Sequence, residues 1–328
     1  MSSHDDAHRS YQSLDEPAAR EALDAHYDMG EGVYKLWASP LSVLQAIAAG
    51  WARSNHPAQL HYGWDLESAR SLDAAIRATT DVVFSELALD PATGGQRVLE
   101  PGCGIGGGIT QLAAAHPDIE FVGLSIVEAQ LRTANARAAG KRLRNARFVA
   151  ANYLRAPLPD ASFAGCYAIE ALCYTPVERR ADLMLELYRL LAPGARLAVL
   201  DGYTGRAPRD AVEAGYLQDV LDGWTLPPSG SAEAFTHRAE QAGFEPVRVE
   251  EVTSHILASG RRIRAIGLGA LTPLSVLSRI PGMGNLLAPI GFASALGARR
   301  FAAACRSQVR LFECGLGGYW LHVFRKPA

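Results

Sequence analysis

The feature that most constrains the fold of this chain is a regular alternation of short apolar runs and amphipathic stretches between residues 97 and 203. Short apolar runs bounded by turn residues are typical of buried strands, and apolar positions three and four residues apart are typical of helices. Strands that alternate with helices predict a parallel α/β sheet covered on both faces. The predicted strands are residues 97–100, 119–124, 146–150, 163–169 and 195–200, and the predicted helices lie around 107–115, 127–139 and 178–191.

The regions on either side of this core are mainly helical in pattern. Residues 41–48 and 72–87 have apolar positions at helical spacing, and Pro40 and Pro57 break the pattern. After residue 203 the alternation becomes irregular. We predict a helix at 231–242, a strand at 246–252, helical hairpins within 261–312 and a late strand at 319–325 that returns to the sheet.

Charge and composition argue against several classes of protein. The net charge of −2 over 328 residues gives no electrostatic footprint for nucleic acid. The five cysteines are odd in number, far apart and without a CxxC pair, so we predict neither a metal site nor a disulfide framework, and a reduced, cytoplasmic setting. The polar N-terminus lacks the apolar segment of a signal peptide. An arginine and three prolines interrupt the apolar stretch 265–298, so we do not expect it to span a membrane.

A glycine-rich turn follows the first predicted strand. Residues 102–107 read Gly-Cys-Gly-Ile-Gly-Gly and satisfy the pattern GxGxxG, which is common to nucleotide-binding turns of Rossmann-like sheets. Glycines at such a turn let the backbone approach a ligand closely and adopt positive φ. The pattern alone therefore leaves both dinucleotides and other nucleoside ligands open.

The acid Glu100 favours one of these ligands. It stands at the end of the first strand, two residues before the first glycine. A carboxylate there repels a pyrophosphate but accepts a hydrogen bond from the ammonium of a methionyl group, which favours S-adenosylmethionine (SAM). The alternative is a solvated carboxylate at a strand end. A dehydrogenase is also disfavoured, because a helix, a strand and helical insertions follow the fifth strand in place of a second mononucleotide-binding half.

Three motifs resemble the class I SAM-dependent methyltransferases, and among them the sterol C-methyltransferases. They are Val-Leu-Glu-Pro-Gly-Cys-Gly-Ile-Gly-Gly at 98–107, Val-Gly-Leu-Ser-Ile-Val-Glu-Ala-Gln at 122–130 and Tyr-Ala-Ile-Glu-Ala-Leu-Cys-Tyr-Thr-Pro at 167–176. His-Tyr-Gly-Trp at 61–64 and Val-Phe-Arg-Lys-Pro at 323–327 are similar to that family as well, so the resemblance spans nearly the whole chain. The sequence departs from the family in having Glu100 instead of Asp and Tyr174 instead of His, and its C-terminal region matches poorly.

The resemblance implies a Rossmann-like α/β sheet, mostly parallel with an antiparallel final strand, with an N-terminal helical region and a C-terminal helical cap. We accordingly divide the chain into residues 1–90, which contribute to the acceptor pocket, a SAM-binding core at 91–205, and cap helices with final strands at 206–328. Ser125 and Gln130 are expected to reach the ribose and methionine side of SAM, and Asn152 and Tyr153 its adenine. The full set of implied cofactor residues is Glu100, Gly102, Cys103, Gly104, Gly106, Ser125, Gln130, Asn152, Tyr153 and Ile169.

The acceptor side follows from the chemistry of an alkene. An alkene that attacks a methyl group becomes a carbocation, which requires orientation, a dry cavity, negative potential or aromatic faces near the cation, and a base. Glu170 follows the fourth strand, where open α/β sheets place active groups, and is the first candidate for the catalytic carboxylate; ordering a substrate lid is its alternative role. His61 and Tyr62 are the next candidates, although a lone histidine is more often structural. The predicted aromatic lining comprises Tyr62, Trp64, Tyr167, Tyr174 and Trp224.

The apolar region 265–298 has three interpretations, namely core helices, a lid over a lipophilic acceptor, or a patch that contacts a membrane surface. The arginines that flank it either form a solvated face or clamp a diphosphate: Arg261, Arg262, Arg264, Arg299, Arg300 and Arg306. We predict a SAM-dependent C-methyltransferase that acts on an alkene of a sterol or other isoprenoid, a lipophilic small molecule. The alternatives are a Mg²⁺-dependent prenyl diphosphate methyltransferase, a tocopherol-like aromatic-ring methyltransferase, an NAD-dependent oxidoreductase and a non-catalytic SAM-binding protein. Homo-oligomerisation is left open.

Overall fold

The computed structural model describes residues 58–266, 268 and 295–328. Two short 3-10 turns, Leu172–Tyr174 and Val177–Arg179, follow the fourth strand. The helices are α1 (Leu72–Ser85), α2 (Gly107–Ala115), α3 (Glu128–Gly140), α4 (Arg180–Leu190), α5 (Ala211–Trp224), α6 (Ala232–Gln241), α7 (Thr253–Ile266) and α8 (Ala295–Glu313). The strands are β1 (Arg97–Pro101), β2 (Glu120–Ser125), β3 (Ala146–Ala150), β4 (Phe163–Ile169), β5 (Leu191–Thr204), β6 (Glu245–Glu251) and β7 (Gly317–Arg325).

These strands form one sheet in the order β3-β2-β1-β4-β5-β7-β6. Strand β7 runs antiparallel to its neighbours β5 and β6, and the other strand pairs are parallel. The predicted sheet, mostly parallel with an antiparallel final strand, is therefore confirmed. Strands β2 and β3 lie on one side of β1, and β4 and β5 lie on the other. A crevice therefore opens at the carboxyl ends of β1 and β4, where open α/β sheets bind ligands.

The two faces of the sheet carry separate apolar cores because successive strand side chains point in opposite directions. Val98 of β1 is fully buried on the face that α1 and α2 cover, with Ile76 and Ile109. Leu99, the next residue, is fully buried on the face that α4 and α6 cover, with Leu187. Both faces are thus covered by helices, as the alternation of strands and helices predicts.

Side-chain caps set the start of several helices. The Ser71 hydroxyl accepts a hydrogen bond from the Ala74 amide at the start of α1, and the Asp210 carboxylate accepts from the Val212 amide at the start of α5. Such caps satisfy amides that have no partner inside the helix. No helix of the described residues is both long enough and apolar enough to cross a bilayer.

The structure differs from the sequence prediction in three places, one of which is that α7 begins at Thr253, ahead of the helical region predicted from 261. Helix α5 was not predicted, because only Glu213 and Val220 are buried along it and its apolar stripe is therefore weak. Strand β5 extends beyond the predicted 195–200, since Leu191 already pairs with Phe163 ahead of an irregularity in the register. The helix predicted at 41–48 and most of the apolar stretch 265–298 lie outside the described residues.

Candidate active site

A cavity of about 160 Å³ lies at the carboxyl ends of β1, β2 and β4, and we call it the cofactor cavity. One predicted cofactor residue, Gly106, does not line it. A side chain at Gly106 would lie 2.7 Å from Phe148 and 2.8 Å from Ala134, so this glycine serves the packing of the turn against β3 and α3. The predicted cofactor residues in the wall are Glu100, Gly102, Cys103, Gly104, Ser125, Gln130, Asn152, Tyr153 and Ile169.

The glycine turn has the backbone conformation that its sequence requires. Gly102, Gly104 and Gly106 have φ angles of +72°, +52° and +74°, in the left-handed region that residues other than glycine rarely adopt. A Cβ atom on Gly102 would lie only 2.7 Å from the Cβ of Ala171. The turn therefore brings bare backbone to the cavity wall, and a ligand can approach the start of α2 without meeting a side chain.

Glu100 supplies the charge of this cavity. Its Oε2 atom is buried and has no hydrogen-bond partner among the described residues. Burial raises the pKa of Glu100 from 4.5 to about 8, and the nearby Tyr167 hydroxyl and Ile109 amide oppose that shift. A cation beside Oε2 would restore the ionised form. The ammonium of SAM is a cation of this kind. A Cβ on Gly108 would lie 2.9 Å from Oε1 of Glu100, so a glycine leaves room for the carboxylate at the start of α2.

Hydrogen bonds order the part of the wall that is predicted to face the ribose and adenine. The Ser125 hydroxyl donates to Oε1 of Gln130 at 3.1 Å, which orients the glutamine at the cavity wall. Asn152 accepts a hydrogen bond from the Leu154 amide at 2.9 Å, so it is a turn residue and lines the cavity at the same time. The Thr175 hydroxyl donates to the Tyr153 hydroxyl at 3.1 Å and fixes that ring at the wall.

A second cavity of about 100 Å³ lies among β4, β5, β7, α5 and α8, and we call it the acceptor cavity. Leu60, Glu170 and Tyr174 line both cavities, so the two are adjacent. Neither cavity is lined by an arginine or lysine from the described parts of the chain. The rest of the acceptor wall is Cys173, Asp201, Gly202, Tyr203, Thr204, Leu217, Val220, Leu221, Trp224, Leu226, Ser229, Gln308, Leu311, Phe312 and Tyr319.

Glu170 lies at the boundary between the cavities. Its φ of +49° is unusual for a residue with a side chain, and its Oε1 accepts a hydrogen bond of 2.8 Å from the Tyr62 amide. Burial raises the pKa of Glu170 from 4.5 to about 8, the nearby Asp201 adds to the shift, and hydrogen bonds from the Tyr319 hydroxyl and the Tyr62 amide oppose it. A strained backbone that aims an acid between two cavities is typical of a functional position.

His61 and Tyr62 occupy different environments. The His61 ring lines the cofactor cavity, with Nδ1 2.9 Å from the Tyr62 carbonyl oxygen and Nε2 3.4 Å from the Thr80 hydroxyl. Burial lowers the pKa of His61 from 6.5 to about 4, so the ring is neutral at neutral pH. The Tyr62 ring packs edge-on against Phe312 and Tyr319 and lies outside both cavity walls. The Tyr62 amide therefore lies beside Glu170, but the Tyr62 ring is not part of the acceptor lining that the sequence predicts.

The predicted aromatic lining is brought together only in part. Tyr174 and Trp224 line the acceptor cavity. Trp64 instead stacks on His255 with ring centroids 4.4 Å apart, and the buried Tyr167 hydroxyl faces Glu100. These two rings therefore belong to the packing around the site, because the strand and loop that carry them turn them away from the acceptor cavity.

Sequence reasoning did not identify several residues of the acceptor wall. Asp201, Tyr203, Gln308 and Phe312 come from β5 and α8, and no local motif marks them. The acid at the end of an apolar run, Asp201, is the one signal that was available. Among the flanking arginines, Arg261 pairs with Glu313 at 3.4 Å and lines neither cavity. The described residues contain no group of three or more metal-ligating side chains.

Comparisons with known proteins relate the chain to methyltransferases. A family model described as a methyltransferase domain matches residues 98–194. The chain is 33% identical over 199 residues to the 27-O-demethylrifamycin SV methyltransferase of Amycolatopsis mediterranei, which covers 60% of this chain and 70% of that protein. It is 33% identical over 205 residues to 24-methylenesterol C-methyltransferase 2 of Oryza sativa subsp. japonica, which covers 61% of this chain and 52% of that protein. The chain thus spans about half the length of this sterol methyltransferase.

A solved structure extends the comparison to the fold. Geranyl diphosphate C-methyltransferase from Streptomyces coelicolor A3(2), in complex with Mg²⁺, geranyl diphosphate and S-adenosylhomocysteine (SAH), superposes with a TM-score of 0.59 at 17% identity. The match covers 88% of this chain and 99% of that one. With the glycine turn and the unsatisfied oxygen of Glu100, the match to the methyltransferase family identifies the cofactor as SAM. The chain is a methyltransferase and belongs to the class I SAM-dependent family.

Proposed function

We propose that this enzyme transfers the methyl group of SAM to an alkene carbon of a neutral isoprenoid, a sterol or a terpenoid. The observation that carries the proposal is the acceptor cavity, which is apolar over most of its wall and meets the cofactor cavity at the half-buried acid Glu170. An apolar wall suits a hydrocarbon acceptor, and a carboxylate at the boundary suits positive charge that develops on it. The likeness to a sterol C-methyltransferase supports the same class of acceptor.

Different residues of the chain bind SAM, exclude water and hold charge beside the reacting carbon. When bound, SAM supplies an electrophilic methyl group on a positively charged sulfur. Glu100 and the glycine turn bind the methionyl end, which directs the reactive end toward Glu170. Leu217, Leu221 and Phe312 exclude water from the acceptor side. Glu170, whose pKa the positive charge of bound SAM would lower, holds negative charge beside the reacting carbon. The Tyr62 amide and the Tyr319 hydroxyl donate to Glu170 and favour its ionised form.

A diphosphate acceptor is the alternative that the described residues support least. Such an acceptor needs arginine or lysine side chains, or a metal ion held by several acids, around its phosphates. The described acceptor wall contains no arginine or lysine, and the described residues offer no cluster of metal ligands. An oxygen acceptor, which the name of the rifamycin relative indicates for that protein, is the second alternative.

The experiment that tests the proposal uses SAM with a ¹³C-labelled methyl group. The acceptors are a sterol with a side-chain double bond, a terpenoid alkene, the saturated analogue of each, a phenol, and geranyl diphosphate with Mg²⁺. We expect the label on an alkene carbon, no reaction with the saturated analogues, and full activity in EDTA. A label on oxygen, or activity only with the diphosphate and Mg²⁺, would overturn the proposal.

A further inference from the structure

Asp201 of β5 is a second buried acid in the wall of the acceptor cavity. It is 1% exposed, and it stands one residue beyond the pairing of Leu200 with Ile169, next to the position of Glu170 on the neighbouring strand. Its Oδ2 accepts a hydrogen bond from the Cys173 amide at 3.2 Å. Its Oδ1 is also buried but has no hydrogen-bond partner within the described residues. One oxygen thus anchors the side chain and the other is unsatisfied at a ligand cavity, where a buried polar atom needs a partner.

Arg180, the first residue of α4, is the positive charge that acts on Asp201. The residue is 2% exposed, and Nε, Nη1 and Nη2 make no hydrogen bond to other described residues. The guanidinium lies over two rings, 5.8 Å from the centre of Tyr203 and 5.5 Å from that of Phe235. A buried arginine stays protonated, so it needs a nearby negative charge, and Asp201 is the acid whose charge it favours.

The groups around Asp201 are mainly ones that stay neutral. Burial raises the pKa of Asp201 from 3.8 to about 7, while hydrogen bonds from Cys173 and the charge of Arg180 oppose the shift. Burial also holds the pKa values of the Cys173, Tyr203 and Tyr319 side chains well above their usual range. The titratable and charged groups that face Asp201 are Glu170 directly after β4, Cys173 on the turn that follows, Arg180 on α4, Tyr203 on β5 and Tyr319 on β7.

We propose that Asp201 is a second catalytic carboxylate, which faces the cationic acceptor from the side opposite the cofactor and takes its proton, and that Arg180 is the positioning residue that keeps it ionised. The assignment rests on the proposed function. The alkene's π electron pair forms the new carbon–carbon bond to the methyl carbon, and the sulfur–carbon pair stays on sulfur. Asp201 then accepts a proton from a carbon next to the cation, and the electrons of that C–H bond form the new double bond.

The test is D201N, with D118N as the matched control. Asp118 is an exposed acid on the loop between α2 and β2, and it lines neither cavity. We expect D201N to lower kcat on the order of 10²-fold while the Kd for SAH stays within about threefold of wild type. Its remaining product should shift toward a methylated alcohol, because water captures a cation that is not deprotonated. D118N should match wild type in each measurement.

A binding measurement makes the test independent of the acceptor. The probes are decyltrimethylammonium, below its micellar concentration, and its neutral carbon isostere, each titrated into the SAH-saturated protein. We expect wild type to prefer the cation by about tenfold and D201N to lose that preference. R180M should lose part of the preference and move the acidic limb of the kcat profile to higher pH, whereas R180K should keep both near wild type.

Each outcome decides one claim. A D201N enzyme that keeps kcat within a few-fold, or keeps the cation preference, overturns the assignment of Asp201. If D201N no longer binds SAH, the comparison of R180M with R180K tests the proposal in its place. Equal preference for the cationic probe in these two variants overturns the assignment of Asp201 and Arg180. If the wild-type product is methylated on oxygen, the proposed function is wrong. The binding of the two probes does not depend on that outcome, so the two failures can be told apart.

Discussion

The cofactor cavity and the acceptor cavity lie side by side but are built in different ways. The cofactor wall comes mainly from short segments at the ends of consecutive strands, with the glycine turn supplying bare backbone. The acceptor wall is assembled from residues as distant in sequence as Leu60 and Tyr319, and side chains make up most of it. Backbone recognition depends on local sequence, and a side-chain wall depends on how distant elements pack. A sequence motif therefore predicts the residues of the cofactor cavity far better than those of the acceptor cavity.

Among variants that affect one cavity and not the other, we expect the largest change in ligand affinity from G104V. Gly104 has a φ of +52° in the wall of the cofactor cavity, so a branched side chain both strains the turn and fills the space of the ligand. We expect calorimetry to show a loss of SAM affinity on the order of 10³-fold, from steric exclusion in a buried site. The matched control is G95V, since Gly95 has a φ of +71° but open space around it. Equal SAM binding by the two variants would contradict the assignment of the turn.

The next effect is expected from E170Q at the boundary of the cavities. This change keeps the size of the side chain and removes the charge that faces the developing cation. We expect kcat to fall on the order of 10²-fold while SAM affinity changes only a few-fold, as for an interaction made mainly in the transition state. E178Q, an exposed acid in the turn before α4, is the control. If SAM affinity collapses and kcat at saturation holds, Glu170 is a cofactor or lid residue.

A smaller effect is expected when a wall of the acceptor cavity alone is removed. Trp224 of α5 lines that cavity, and its indole Nε1 donates to Gln308 at 3.0 Å. W224A should raise the acceptor KM by about tenfold, because it removes a large apolar surface from the wall, and leave the Kd for SAM unchanged. W64A is the comparison, since Trp64 stacks on His255 outside the cavity. A larger change in acceptor KM for W64A than for W224A would show that the described cavity is not the acceptor site.

The smallest effect concerns the stability of the protein without SAM. Burial raises the pKa values of Glu100 and Glu170 to about 8, so the folded state holds protons that the unfolded state, with a pKa near 4.5, has already lost. The stability from these groups is complete below their unfolded pKa and is lost as the pH rises through about 8. We expect Tm to fall by several °C between pH 5 and pH 8.5, measured by calorimetry. E100Q should flatten the slope and E178Q should not; an unchanged slope in E100Q would contradict the buried state of Glu100.

The sequence was sufficient for the sheet and for most of the residues predicted at the wall of the cofactor cavity. Residues 97–169 alternate between strand and helix patterns, and each predicted strand in that range is present within a residue or two. Nine of the ten predicted cofactor residues line the cofactor cavity, because strand ends and the turns after them are defined by local sequence. Gly106 shows the limit even there, since its neighbours Phe148 and Ala134 come from later elements. Its role in packing became visible only in the folded chain.

What the sequence by itself determined is therefore the α/β architecture, the glycine turn and the acid that faces it, since periodicity and backbone conformation act over a few neighbouring residues. Tertiary structure alone decided which aromatic rings reach the acceptor, so that Trp224 lines the cavity and Trp64 does not. It also decided that Asp201 and Arg180 are buried together. The desolvation that makes such charged groups reactive comes from contacts among β4, β5, β7 and α4, and residues far apart in the chain carry no local sign that they will meet.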